Sequence, residues 1–489
     1  MKHSWIYVEL NQLVSYVIGG DWGQNESFDD PNYSLAFCIR ASEIKNWQED
    51  KGKTAAIRKI KNSSIEKRKL EEGDILIEIS GGGPEQPVGR TVLIDKSVLG
   101  FSPNTPKICT NFFRLARPNK LINSPFLNLF LQFFYKSGRI VSLQAGSNNL
   151  RNLKFKEYLS INIPLPPLPE QRAIVSKIEE LFSELDNGIA NLKAAKEKLE
   201  IYRQAVLKKA FEGKLTNGLN HDSNALDDDH DISLAAEPEA DYQKNQANQN
   251  NHTNHGSDNR LPKGWKWVKL GEVAKKITDG EHLTPKRTEL GYLLLSARNI
   301  QNGYLDLSKV DYIPIEEYER IIKRCNPEYG DILISCSGTI GRICSVPKNI
   351  LFTMVRSVAL VKLDWNNNLS KFYEFLFQSP NLQKQISKSK KATAQANLFL
   401  GPIKNLFIIQ CPISDQKIVV QEIESRLSVC DKLTESIDQG LEKAEALRQS
   451  ILKKAFEGKL LSEAELEACR KEPDWEPAEK LLERIKNIK

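Results

Sequence analysis

The chain lacks any apolar run long enough to span a bilayer, and residues 1–10 carry charges where a signal peptide would be apolar, so a cytoplasmic protein with no membrane contact is expected. Its eight cysteines (Cys38, Cys109, Cys325, Cys336, Cys344, Cys411, Cys430, Cys469) include no C-x-x-C pair, which argues against a zinc ribbon, a redox motif and a disulfide framework. Free buried thiols in a reducing compartment are the expectation. Histidine is scarce: four of the six (His221, His230, His252, His255) fall irregularly in one polar stretch, and His3 and His282 have no Ser or Cys partner motif. No metal site is predicted.

Catalytic constellations are missing as well. Asn326-Pro-Glu-Tyr329 departs from the N-P-P-Y tetrad of amino-methyltransferases at its third residue, and no glycine-rich nucleotide loop precedes it. Glu212-Gly-Lys-Leu215 lacks the upstream Gly and the following Ser or Thr of a phosphate-binding loop. No nuclease-like D…E-x-K spacing follows Gly73-Asp74. A binding protein with no catalytic residues and no cofactor of its own is the reading these gaps support.

What is present is a repeat. Gln171–Leu215 and Gln416–Leu460 align without a gap at 20 identical positions of 45, and both end Leu-Lys-Lys-Ala-Phe-Glu-Gly-Lys-Leu. Steps of three and four place Ile178, Leu181, Leu185, Gly188, Leu192, Ala195, Leu199, Tyr202 and Val206 on one face of the first copy. The second copy places Ile423, Arg426, Cys430, Leu433, Ile437, Gly440, Ala444, Leu447 and Ile451 there, and the small residues would permit close approach. Forty residues of helix extend about 60 Å, more than a compact domain commonly holds. Two such helices lying antiparallel would hold a head at either end in pseudo-twofold symmetry, which suits duplex DNA.

The heads repeat more faintly. Trp5-Ile-Tyr-Val-Glu-Leu10 matches Trp265-Lys-Trp-Val-Lys-Leu270, Ile39-Arg-Ala-Ser-Glu-Ile44 matches Leu295-Ser-Ala-Arg-Asn-Ile300, and Gly73-Asp-Ile-Leu76 matches Gly330-Asp-Ile-Leu333. Short β-type runs mixed with helical stretches make each head an α+β domain. The predicted divisions are a first head over 1–165, a long helix over 166–215, an acidic, Asn-rich linker over 216–259, a second head over 260–411, a second long helix over 412–460 and a helical tail over 461–489. The linker has a net charge of −8 within an overall +6, which leaves +14 on the rest. That excess suits a polyanion.

The strongest binding signals follow the Gly-Asp-Ile-Leu runs. Ser80 and Gly81, then Gln86 and Arg90, succeed the first; Ser337, Thr339 and Arg342 succeed the second. Glycine frees backbone amides for phosphates, Gln suits adenine and Arg suits guanine in a major groove. A glycine-rich hairpin with an exposed Arg would look the same. Arg40, Lys286, Arg287, Arg298 and Arg356 complete the candidates for DNA contact. The clusters Lys67-Arg-Lys69, Lys286-Arg287 and Lys323-Arg324 fit solvated faces or phosphate contacts.

Together, the paired helix ends, Pro164-Leu-Pro-Pro-Leu-Pro-Glu-Gln171, Leu261-Pro-Lys-Gly-Trp265 with Leu270-Gly-Glu-Val273, the Gly-Asp-Ile-Leu pair and the tail Asp474-Trp-Glu-Pro-Ala-Glu-Lys-Leu-Leu-Glu-Arg484 resemble the specificity subunit of type I restriction-modification enzymes. The resemblance spans nearly everything outside the linker. It implies two target-recognition domains on an antiparallel helix pair, each reading half of a split, asymmetric double-stranded DNA sequence. It implies two methyltransferase (modification) subunits docked on the chain and restriction (motor) subunits in the full complex. S-adenosylmethionine and ATP with magnesium would belong to those partners. The first head lacks the Leu-Pro-x-Gly-Trp run, and the second helix has Ser414-Asp-Gln416 where the first has Pro169-Glu-Gln171. A coiled-coil scaffold whose heads bind protein is the alternative.

Overall fold

Residues 5–82, 86–146, 151–215, 261–389 and 397–488 are described by a computed structural model; the acidic linker lies outside them. The chain forms two compact units, Met1–Asn191 with Gly440–Lys489 and Leu192–Gln439. The 461–489 tail therefore belongs with the first head. Each unit also holds the start of one long helix and the end of the other.

Both units use one sheet plan. In the first, an antiparallel sheet runs Val14–Gly19, Phe113–Pro118, Ile75–Glu78, Thr91–Leu93, beside a second sheet in which Tyr33–Ile39 pairs antiparallel with Ala56–Lys61 and parallel with Lys107–Cys109. The second unit repeats this with Lys276–Asp279, Val358–Lys362, Ile332–Ser335, Ile343–Ser345, and with Tyr292–Leu295 between Asp311–Ile313 and Phe352–Met354. A two-stranded ladder ties the first strand of each head to the strand preceding its long helix, Ile6–Glu9 to Asn162–Leu165 and Lys266–Lys269 to Phe407–Gln410.

The Gly-Asp-Ile-Leu motif is structural. Gly73 and Gly330 turn the chain at φ 90° and 88°, a conformation open to glycine at little cost. The following Asp is buried and ion-paired: Asp74 takes two bonds from Arg117, at 2.8 and 2.9 Å, while Asp331 pairs with Lys362 and accepts from Trp365 Nε1. Burial nonetheless pushes the Asp331 carboxyl up, against the pull of Lys362.

The long helices run Leu168–Phe211 and Ile413–Phe456. Within the second unit Lys196 pairs with Asp438, and seven residues on Arg203 pairs with Asp431, seven residues back, so the two segments are antiparallel. Within the first, Ile174 and Ile178 pack in one cluster with Ile451, Leu452, Ala455 and Phe456. The Trp/Glu-Gln and Trp/Asp-Gln pairs fasten each helix start alike. Trp5 Nε1 donates to Glu170 at 2.7 Å and Trp265 Nε1 to Asp415 at 2.9 Å. Buried Gln171 accepts from Asn123 N and donates to Pro166 O; Gln416 does the same with Leu369 N and Cys411 O. The departure from Pro-Glu-Gln to Ser-Asp-Gln thus leaves the contact intact.

The repeated nonapeptide closes the opposite head's core. Phe211 packs edge-on against Phe372 at 5.3 Å, and Phe456 sits among Phe126, Phe130 and Phe133 at 5.2–5.5 Å. Leu481 and Ile485 of the tail join the latter cluster.

The predicted seam needs correction. Ile178, Val206, Ile423, Ile437 and Ile451 are buried, and Leu181, Leu185, Leu192, Leu199 and Tyr202 are half-buried. Leu433 and Leu447 are not seam residues: they are 48% and 51% exposed. The buried face instead passes through Leu427, Thr434, Leu441 and Arg448, one residue later at alternate steps. Heptad steps share every seventh residue whichever flank is buried, so periodicity alone does not choose the flank. Arg448 fits there because it lies over the Phe182 ring at 4.5 Å and pairs with Asp186. Gly188 permits no close approach either, since a Cβ there would meet nothing within 4 Å.

Candidate nucleic-acid interface

In the first unit, one open concavity of about 1290 Å³ lies across the ends of the two sheets. Its wall contains Arg40, Ser80, Gly81, Gln86 and Arg90, all five candidates named for this head, with Trp22, Lys45, Asn111 and Phe112. The loops meet there because Gly20 lets backbones touch: a Cβ on it would lie 2.0 Å from Thr110 O. Asp21 N then donates to Cys109 O at 2.8 Å and Thr110 N to Ile39 O at 2.9 Å.

The arginines of this groove are already held. Arg90 gives Nε and Nη2 to Glu78 at 2.9 and 2.6 Å, and Glu78 is 1% exposed. The Gln86 carboxamide lies against the same guanidinium, and with its amide turned its oxygen accepts from Nη1 at 2.8 Å. Arg40 is bound to Glu43, which also caps the following 3₁₀ turn, and reaches Thr54 O. Trp22 stacks under the Arg58 guanidinium at 4.4 Å. Trp22 and Phe112 are 38% and 43% exposed, leaving aromatic surface in the wall.

The second head has the same frame. Gly280 approaches the carbonyls of Met354 and Val355 as Gly20 approaches those of Cys109 and Thr110. Ser335 N donates to Arg342 O as Glu78 N does to Arg90 O, and Cys336 N donates to Ser357 O as Ile79 N does to Phe112 O. These bonds set Arg342 level with Arg90, Ser337 with Ser80, Arg356 with Asn111, Arg298 with Ser42 and His282 with Trp22. Four of the seven candidates in this head therefore occupy groove positions. Thr339 is exposed, and its carbonyl accepts from Ser335 Oγ.

Electrostatically the heads differ. Ser335 stands where Glu78 stands, and its hydroxyl accepts from Arg342 N. The half-buried Arg342 side chain has no ion pair among the described residues. Arg287 and Arg298 share Asp311, at 3.0 and 2.8 Å, and both lower its carboxyl pKa although burial works the other way. Exposed Lys286 and Arg356 have no side-chain ion pair among the described residues. In the basic clusters, Arg68 and Arg324 prove to be braces for the glycine loops. Arg68 donates to Gly19 O, and Arg324 to Gly280 O and Asp279.

Trp22, Lys45, Asn111 and Phe112 were not singled out by sequence. The match of Asn111 with Arg356 comes from strand pairing, since Gly20 to Asn111 is 91 residues and Gly280 to Arg356 is 76. No pattern of Trp22 itself marks it, because its place comes from a loop crossing between sheets. Among the described residues no His/Cys/Asp/Glu group is placed to hold a metal, all eight cysteines are buried and unpaired, and no helix is long and apolar enough to cross a membrane.

Comparisons with known proteins agree on one family. The family described as type I restriction modification DNA specificity domain matches residues 19–196 and 262–445, one match in each repeat. The chain is 24% identical to the type I restriction enzyme EcoKI specificity subunit of Escherichia coli K12, across 99% of this chain and 96% of that one. It is 26% identical to the EcoBI specificity subunit of Escherichia coli, across 73% and 71%. A chain solved in work on complex assembly and conformational transition of the type I R-M system superposes with a TM-score of 0.62 at 18% identity, covering 93% of this chain and 98% of its own.

Proposed function

This chain belongs to the type I restriction-modification DNA specificity family, and we propose that it is the non-catalytic subunit that reads a bipartite, asymmetric double-stranded DNA site, one half with each head. The observation that supports this most is that one backbone frame recurs with different wall residues. Arg40, Glu78, Asn111 and Trp22 in the first head stand against Ser296, Ser335, Arg356 and His282 in the second. A frame kept while its surface changes suits two readers of unlike half-sites.

Arg342, Arg356, Arg298 and Lys286 supply donors and positive charge in the second head. In the first, Gln86 and Arg90 suit adenine and guanine edges, with Ser80 and Gly81 near the backbone. The helix starts and the nonapeptide ends, kept alike in both units, suit two copies of one partner, the methyltransferase subunit. S-adenosylmethionine would be bound by that partner, and ATP with magnesium by restriction subunits that join in the cytoplasm. Footprinting of the assembled complex tests the reading: two protected blocks separated by unread base pairs are expected. One continuous block, or equal binding to every sequence, would refute it and favour a scaffold whose heads bind protein.

A further inference from the structure

We propose that Glu78 is a positioning residue that sets what the first head reads. By holding Arg90 side-on, it makes that arginine a base-edge reader, whereas Ser335 leaves Arg342 free to act as a mobile positive charge. The inference rests on the reading that these grooves face DNA, and it goes beyond that reading by assigning unlike tasks to two arginines in the same backbone position.

Three observations carry it. First, Arg90 and Arg342 are equivalent by main-chain bonding, since each carbonyl accepts from the residue at position 78 or 335. Second, Glu78 is buried and occupies Nε and Nη2 of Arg90, Nη2 also reaches Ala41 O at 3.5 Å, and with the Gln86 amide turned to accept from Nη1 one N–H of Nη1 remains unused among the described residues. Third, Ser335 uses its hydroxyl on Arg342 N and Thr339 O, so among the described residues no carboxylate takes the place of Glu78 beside Arg342.

The consequence follows from charge and geometry. A guanidinium bound on one edge by a carboxylate loses most of its attraction for phosphate, because the pair is close to neutral. It keeps a fixed plane and one fixed donor, and a donor held in place discriminates between base edges. An arginine without that partner retains its full charge and its rotamer freedom, which suits phosphate and adds to counterion release.

Glu78→Ser and Ser335→Glu, made in the full chain and assembled with its methyltransferase partner, test this against cognate DNA, singly substituted half-sites and random DNA over a salt series. Glu78→Ser should cut discrimination at a base pair of the first half-site by about tenfold and steepen the salt dependence on random DNA. Ser335→Glu should flatten that dependence. Glu78→Gln, which keeps size and one acceptor, should fall between, and thermal melting of each variant separates a folding loss from a reading loss. A uniform loss on all sequences, or unchanged preference in folded Glu78→Ser protein, overturns the proposal. Arg90→Ala and Arg342→Ala distinguish its failure from that of the wider reading. If neither alters recognition of either half-site, the grooves do not face DNA.

Discussion

At the residue scale, a few buried polar groups decide whether each head forms. Asp74 is fully buried and relies on Arg117 for its charge balance. Arg117→Ala would strand that carboxylate, and a loss of about 3–5 kcal/mol from the first unit is expected in denaturant melts. Arg117→Lys should recover part of it, because Lys362 performs the same task for Asp331. Arg342 has a different role. Arg342→Ala should weaken recognition in the second half-site by about 1–3 kcal/mol if the side chain reaches a base, measured by binding to single-base variants. A loss equal on every sequence that grows at low salt would make it a phosphate contact, the outcome expected if Ser335 leaves it unpinned.

At the element scale, each long helix is fastened at both ends to different heads. Phe456→Ala should destabilise the first unit by about 3–5 kcal/mol and Phe211→Ala the second, each removing an aromatic from a packed cluster. Hydrogen exchange by unit would show which core opened, and a change confined to the wrong head would contradict the packing. The tail gives a pH test. Arg172 bonds Asp474 and holds its carboxyl below the ordinary 3.8. A depressed folded value means the contribution is complete above that ordinary value and is lost as pH falls through the lower one. Both groups are more than 40% exposed, so solvent screening keeps the effect small. Asp474→Asn should therefore speed amide exchange of residues 463–488 at pH 7 and pH 5, with a difference from the parent chain that shrinks as pH falls below 3.8.

At the scale of the whole molecule, the proposal for two half-sites makes helix length a functional quantity. Deleting one heptad from each long helix removes about 10 Å of rise, or about three base pairs. The preferred spacer in the methylated site should shorten accordingly. Methylation mapping that returns the original spacer, in a complex that still assembles, would sink the idea that the helices set it.

The repeat, the length of the long helices, the α+β character of the heads and the importance of Gly-Asp-Ile-Leu were all legible in the chain, because periodicity and identity survive without coordinates. Ser80, Gly81, Gln86 and Arg90, which line the first head's groove, stood out through their glycine-rich context, whereas Arg40 had no such context. The flank of the helices that is buried was not legible: Leu433 and Leu447 fit the heptad, yet Thr434 and Arg448 face inward, because the partner surface chooses between flanks that share every seventh residue. Nor was the pairing of Arg90 with Glu78, twelve residues apart on neighbouring strands, since only the register of those strands brings the carboxylate under the guanidinium. Local pattern determined which elements form, and tertiary contact decided which charges remain available to a partner.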